Sequence, residues 1–304
     1  MKPVLHAVHA WAEMVKLAHS VFALPFALIA AFLAARNIEG PGVPSWGQLG
    51  LILMCMVSSR SVAMTFNRIV DAGIDARNPR TMTRPLPAGR LSYPAAWAMF
   101  GLSALTFGLA CLGFHVWYAN SWPILLSGPV LIYLCGYSFT KRFTRWSHFY
   151  LGSAIAMSPV ATWLAIDPAS VGLPALILMG VVTCWIGGFD IIYACQDIDV
   201  DQRDGLHSLP SRLGARAALS IARAAHVLVV LGLIWLGKVA ELGTIYMAGV
   251  AIVTILLIVE NSLVRPGDYR RVNVAFFTIN GVVSLVLAAT AITDVLINKP
   301  HLVS

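Results

Sequence analysis

Between Leu91 and Thr140 the chain runs for fifty residues without one Asp, Glu, Lys or Arg. A helix needs about 20 apolar residues to cross the hydrocarbon core of a bilayer, so this stretch holds two spans. The remainder agrees with it. Of the 304 residues 58% are hydrophobic and 12% charged, against about a quarter charged in an ordinary soluble domain. A soluble enzyme is excluded. No segment between apolar runs exceeds about 30 residues, so the whole chain, 1–304, reads as a single integral-membrane domain.

Cutting at charged and Pro/Gly-rich breaks places spans near 17–35, 49–66, 94–114, 121–139, 149–166, 172–190, 224–240, 243–260 and 273–294. Nine helices make an all-α, polytopic fold; the runs are helix-length, unlike the alternating ten-residue segments of a membrane barrel. Lys and Arg set the orientation. The N-terminus and the loops after spans two, four, six and eight carry seventeen basic residues, whereas the other side carries Arg36, Lys238 and Lys299. The N-terminus and those loops are therefore expected in the cytoplasm and the C-terminus outside. The same distribution accounts for the net charge of +7 without nucleic acid. The first 16 residues hold Glu13 and no small-residue cleavage site, so no cleaved signal peptide is expected. The cysteines, Cys55, Cys111, Cys135, Cys184 and Cys195, form no C-x-x-C pair and read as small apolar fillers.

Acidic residues gather at the cytoplasmic ends of spans two and six. In the first cluster Arg60, Asn67, Asp71 and Asp75 fall within an arc of roughly 80° on a helix turning 100° per residue. In the second, Asp190, Asp197 and Asp201 share a face within about 40° if the helix continues, while Asp199 points the other way. Like charges at i, i+4 destabilise a helix, so each stripe calls for a cation. Magnesium takes oxygen ligands and is commonly held by a few carboxylates together with substrate phosphates. An EF-hand fails on detail, because its sixth and twelfth positions would be Gln202 and Ser208 rather than Gly and Glu. The loop Asn78-Pro-Arg-Thr-Met-Thr-Arg84-Pro-Leu-Pro-Ala-Gly-Arg90 is stiff and basic, suited to cover an anion. After span four, Tyr137 and Lys141 have i, i+4 spacing, and Arg142 follows.

Taken in order, these elements resemble the UbiA superfamily of intramembrane aromatic prenyltransferases, enzymes that attach polyprenyl tails to quinone precursors. The resemblance covers nearly the whole chain and rests on Arg60, on N-x-x-x-D-x-x-x-D at Asn67, Asp71 and Asp75, and on the Thr-Arg84-Pro-Leu-Pro-Ala-Gly loop. Tyr137-x-x-x-Lys141-Arg142 and Asp190-x-x-Tyr193-Ala-x-x-Asp197-x-x-x-Asp201 complete it. It implies a helical ring in the bacterial inner membrane whose active site opens to the cytoplasm, and Mg²⁺-dependent transfer from a polyprenyl diphosphate to an aromatic acceptor. Membrane lipid is the surrounding partner, with no nucleic acid and no obligate protein partner. Asn67, Asp71, Asp197 and Asp201 would hold Mg²⁺, with Asp75 and Asp190 in support. Lys141, Arg84 and Arg60 would bind diphosphate or orient the acceptor, and Tyr137, Tyr193 or Phe66 would face an allylic cation.

Two departures bear on the acceptor. Arg68 stands where many 4-hydroxybenzoate-using members have Asp, and Lys16-Leu-Ala-His19-Ser-Val-Phe-Ala-Leu-Pro25 replaces an Arg-rich first helix. These features resemble the branch that makes menaquinone through futalosine, whose acceptor would be 1,4-dihydroxy-6-naphthoate; His19 and Arg68 are candidate acceptor contacts. The competing classes are a transporter whose carboxylates bind a coupling cation and a non-catalytic membrane scaffold.

Overall fold

The computed structural model describes residues 2–15, 23–36, 38 and 42–298, with side chains from His9 onward. Lys16, His19 and Lys299, the side chain of Lys2 and the start of the first expected span lie outside the described residues. Among those described, eight helices are long and apolar enough to cross a membrane, and the apolar Leu24–Ala35 is shorter. The protein is an all-α, polytopic integral membrane protein. Its contacts divide it into two units, 1–20 with 50–140, and 21–49 with 141–304.

The first unit contains α1 (Lys2–Val15), most of α3 (Trp46–Asp75), α4 (Tyr93–Tyr118) and α5 (Trp122–Thr140). α3 is 30 residues long, so it runs nine residues past the span expected at 49–66 and carries the whole first acidic motif. Within hydrocarbon its polar side chains must be satisfied locally. Ser58 and Ser61 do this by donating to the carbonyls of Met54 and Val57, at 2.6 and 2.7 Å. α1 was not foreseen. Its Ala10 and Met14 pack with Ala72, Leu86, Leu91 and Ala96, and Trp11 Nε1 donates to Thr65 Oγ1 at 3.0 Å. The uncharged fifty-residue stretch folds as the two spans expected, α4 and α5, joined by a tight turn. Ala119 sits there in the left-handed region, φ 53°, and the Asn120 N–H donates to the Phe114 carbonyl at 3.1 Å.

The loop between α3 and α4 is fastened at both ends. Thr81 Oγ1 donates to the Asp75 carbonyl at 2.9 Å. Arg90 makes a bidentate pair with Glu13 of α1 at 2.8 and 2.9 Å and also donates to the Thr83 carbonyl.

The second unit contains α2 (Leu24–Ala35), α6 (Ser147–Ile166), α7 (Leu173–Ala194), α8 (Ile198–Arg203), α9 (Leu209–Val239), α10 (Thr244–Leu263) and α11 (Asn280–Ile297). Small residues let membrane helices approach closely: a Cβ on Gly152 of α6 would collide with the Thr183 carbonyl of α7. α9 begins well before the expected 224–240, because Arg212, Arg216 and Arg223 break the apolar run without breaking the helix. It kinks at Gly214, φ 78°. α10 starts after Gly243, which has no capping side chain; buried Asp294 of α11 accepts the Gly243 N–H at 2.6 Å and the Tyr246 N–H at 3.3 Å instead. Before α11 a π-helical turn, Val274–Ile279, frees carbonyls that the Asn280 side chain takes up. Its Nδ2 donates to Ala275 and Phe276 carbonyls and to Glu260 Oε1, the last at 2.7 Å.

Two outcomes follow from this packing. Ala119→Gly relieves the left-handed strain at the end of α4 and is expected to stabilise the protein by about 1 kcal/mol, read as a raised unfolding midpoint in detergent. The hydrogen bond from Arg90 holds the Glu13 carboxyl below its ordinary pKa. A depressed carboxyl stabilises above its unfolded pKa and loses that contribution as pH falls through the folded one. Amide exchange in the loop should therefore be faster in Glu13→Gln than in the parent at neutral pH, and the difference should vanish as pH falls through that lowered value.

Candidate active site

The first acidic cluster forms on the last turns of α3. Asn67 Nδ2 donates to Asp71 Oδ2 at 2.8 Å, the i, i+4 pair that the helical projection expects. Asp75 is buried, and Arg84 Nη1 reaches both of its oxygens at 2.7 Å. Arg84 thereby ties the Pro-rich loop to the helix. Arg68 also enters the cluster: its Nη1 donates to Asn67 Oδ1 at 3.2 Å and lies 3.8 Å from Asp75, with Asp71, Arg84 and Tyr137 as electrostatic neighbours. Arg60 is partly buried deeper on α3, and its Nε has no hydrogen-bond partner among the described residues. Phe66 packs against Trp97, Phe100 and Phe139, with ring centroids 6.2, 5.8 and 5.9 Å away.

The second cluster departs from the expected continuous helix. α7 ends at Ala194, a 3₁₀ turn covers Cys195–Asp197, and α8 resumes at Ile198. Asp197 and Asp201 are nevertheless buried, at 7% and 4% exposure, whereas Asp199 is exposed. Asp201 Oδ2 is inaccessible and accepts no hydrogen bond among the described residues. Asp190 does have a partner: its Oδ2 lies 2.7 Å from Nδ1 of His148 on α6. The Tyr193 ring packs against Phe276 of the π turn, centroids 4.3 Å apart and tilted by 41°, and meets Phe277 edge-on. Lys141 does not extend α5, which stops at Thr140, one residue before the helical position expected for it. Its carbonyl accepts the His207 N–H at 2.6 Å.

Sequence reasoning missed His148 and the place of Arg68. A lone histidine at the start of an apolar helix has no periodic partner to mark it, and Arg68 stood out only as a departure from a pattern. All five cysteines are free, and Cys55 and Cys111 bring their sulfurs to 3.8 Å without a bond. Among the described residues no three His, Cys, Asp or Glu side chains gather as a metal site. The donors in both clusters are oxygens, the set suited to a hard cation.

Residues 23–282 match the UbiA prenyltransferase family. The chain is 30% identical over 253 residues to the 4-hydroxybenzoate octaprenyltransferase of Nitrosospira multiformis, covering 83% of this chain and 84% of that one. To the enzyme of the same name from Chromohalobacter salexigens it is 29% identical over 234 residues, 77% and 76% of the two chains. Among solved structures it is similar to a UbiA homologue from Aeropyrum pernix K1, with TM-score 0.80, 28% identity and coverage of 91% and 98%. A UbiA homologue from Archaeoglobus fulgidus bound to GPP and Mg²⁺ shares the fold at TM-score 0.67 and 17% identity, over 94% and 99% of the chains. With its membrane helices and two acidic clusters, the chain belongs to the UbiA prenyltransferase family and is an enzyme of prenyl transfer.

Proposed function

We propose that the enzyme transfers a polyprenyl group from a polyprenyl diphosphate to a ring carbon of a hydroxyaryl carboxylate, the class that includes 4-hydroxybenzoate and 1,4-dihydroxy-6-naphthoate. The observation that carries the metal-dependent reading is the burial of two carboxylates, Asp197 and Asp201, on one segment, with Asp201 Oδ2 lacking a donor among the described residues. A buried carboxylate oxygen without a donor is costly, and a divalent cation would compensate it. Asn67, Asp71, Asp197 and Asp201 are the proposed ligands of Mg²⁺, with Asp75 and Asp190 supporting them. When bound, the metal would neutralise the diphosphate and the charge that grows on it as the carbon–oxygen bond breaks.

The remaining roles fall to side chains. Lys141 and Arg60 are the proposed cations for diphosphate or acceptor. Arg84 joins them while keeping the loop on α3 through Asp75. Tyr137 and Tyr193 offer ring faces to the allylic cation left when diphosphate departs, and Tyr193 is braced by Phe276. Water must stay away from that cation. The ring carbon beside a phenolic hydroxyl then attacks it, and loss of the ring proton restores aromaticity.

The curated relatives named above are 4-hydroxybenzoate octaprenyltransferases, and the Archaeoglobus homologue binds GPP and Mg²⁺; both support this class of donor and acceptor. Arg68 and the Lys16–Pro25 segment favour the naphthoate within it. The basic loops favour a cytoplasmic N-terminus, an outer C-terminus and a site open to the cytoplasm, with 1–304 acting as one functional domain. Membership of a prenyltransferase family sets the cation-coupled transporter aside.

Membranes containing the protein, given Mg²⁺ and a polyprenyl diphosphate, should prenylate one of the two acceptors offered separately. Asp71→Asn should reduce turnover about 100-fold or more, the scale of losing one preorganised electrostatic contact, while leaving the protein folded. Failure to prenylate either acceptor would refute the assignment. Asp199→Asn should cost far less than Asp197→Asn, and equal losses would contradict the helical projection that sets Asp197 apart from Asp199.

A further inference from the structure

His148 is wholly inaccessible to solvent and makes two contacts with different elements. Its Nδ1 lies 2.7 Å from Asp190 Oδ2 on α7, and its Nε2 lies 3.3 Å from the backbone nitrogen of Leu209. A backbone N–H can only donate, so Nε2 is the acceptor. The neutral ring then carries its proton on Nδ1 and donates it to the carboxylate. Leu209 opens α9, and the first N–H groups of a helix have no partner within it. Ser208 accepts the Ser211 N–H; the imidazole takes the one at Leu209.

The two contacts bracket one segment. Between Asp190 and Leu209 lie the 3₁₀ turn, α8 and both buried carboxylates, Asp197 and Asp201. A single ring on α6 thus holds the segment at its entry and its exit. The close approach of α6 and α7 at Gly152 and Thr183, one turn from His148 and two from Asp190, makes that span short enough for one imidazole. Inside the bracket Gln202 Nε2 donates to the Ser211 carbonyl at 3.0 Å and Ser211 Oγ to the Leu206 carbonyl at 3.2 Å, so the return into α9 is closed as well.

We propose that His148 is a positioning residue for the second acidic cluster: donating to Asp190 and accepting from Leu209, it fixes the segment that presents Asp197 and Asp201 to the metal and diphosphate. This rests on the function proposed above. Partners of this kind behind a metal site typically change affinity 10–100-fold when removed.

The test uses the full chain in detergent, reading the rise in unfolding midpoint on adding Mg²⁺ with inorganic diphosphate, beside prenyl transfer. Relative to the parent, His148→Ala is expected to need about 10–100-fold more Mg²⁺ for half the effect. His148→Asn keeps a donor within reach of Asp190 and is expected to recover to within about threefold of the parent. The ring of His148, assigned by its loss in the Asn variant, should show the Nδ1–H tautomer in ¹⁵N spectra. A folded His148→Ala with the parent's Mg²⁺ requirement, an Asn variant no better than Ala, or an Nε2–H tautomer would each overturn the proposal. Should His148→Ala not fold, the Asn variant decides, since a tenfold shift there overturns it and parent-like behaviour upholds it. A parent protein that neither responds to Mg²⁺ and diphosphate nor transfers a prenyl group refutes the proposed function and this role together; a responding parent with an unaltered Ala variant refutes only the role of His148.

Discussion

A carboxylate held out of water must find donors or cations, because leaving it uncompensated costs several kcal/mol, and the buried and partly buried acids among the described residues meet that demand in different ways. Asp75 takes the Arg84 guanidinium. Asp190 takes an imidazole N–H, and Asp294 takes the N–H groups that open α10. Glu260 takes the Asn280 amide through one oxygen. Among the described residues Asp201 Oδ2 and Glu260 Oε2 are both buried without a donor. Asp201 differs in standing with buried Asp197 in the segment where α7 gives way to α8, and that concentration of carboxylate is the physical ground for assigning a cation to the cluster.

The same demand explains the secondary structure around the acids. α3 carries Asn67, Asp71 and Asp75 because it continues past its apolar run, and that continuation is held by contacts that run back along the chain: Trp11 on Thr65, Thr81 on the Asp75 carbonyl, Arg90 on Glu13. The second cluster is held by helix ends, with α7 finishing and α9 beginning on either side of the buried carboxylates. The first cluster thus sits on the end of a continuous helix, and the second on the short turn and helix between two long ones.

Local periodicity made the first cluster legible, since an unbroken helix keeps residues four apart on one face, and Asn67 does bond Asp71. In the second the helix breaks, yet Asp197 and Asp201 are buried and Asp199 exposed as a helical projection expects. The reason is that a three-residue 3₁₀ turn advances about 120° per residue, a total departure of only about 60° from the α-helical path. His148 and Asp190 were not legible as a pair, being joined by the approach of two helices 42 residues apart in sequence. The first turns of α9 were missed because arginines ended the apolar run, although a helix that emerges from the membrane needs no apolar residues to continue. The π turn before α11 shifts the helical period and is invisible to any reading that assumes a constant one. Lys16 and His19, part of the segment read as a departure from the 4-hydroxybenzoate-using pattern, lie outside the described residues.

Calorimetric titration of inorganic diphosphate into the detergent-solubilised protein, with and without Mg²⁺, tests the central claim most directly when the parent is set against Asp201→Asn. Cation-compensated carboxylates require that diphosphate bind with Mg²⁺ and not without it, and that the variant bind at least about tenfold more weakly, as loss of a buried charged contact demands. Diphosphate binding that ignores Mg²⁺, or is equally tight in Asp201→Asn, would contradict it.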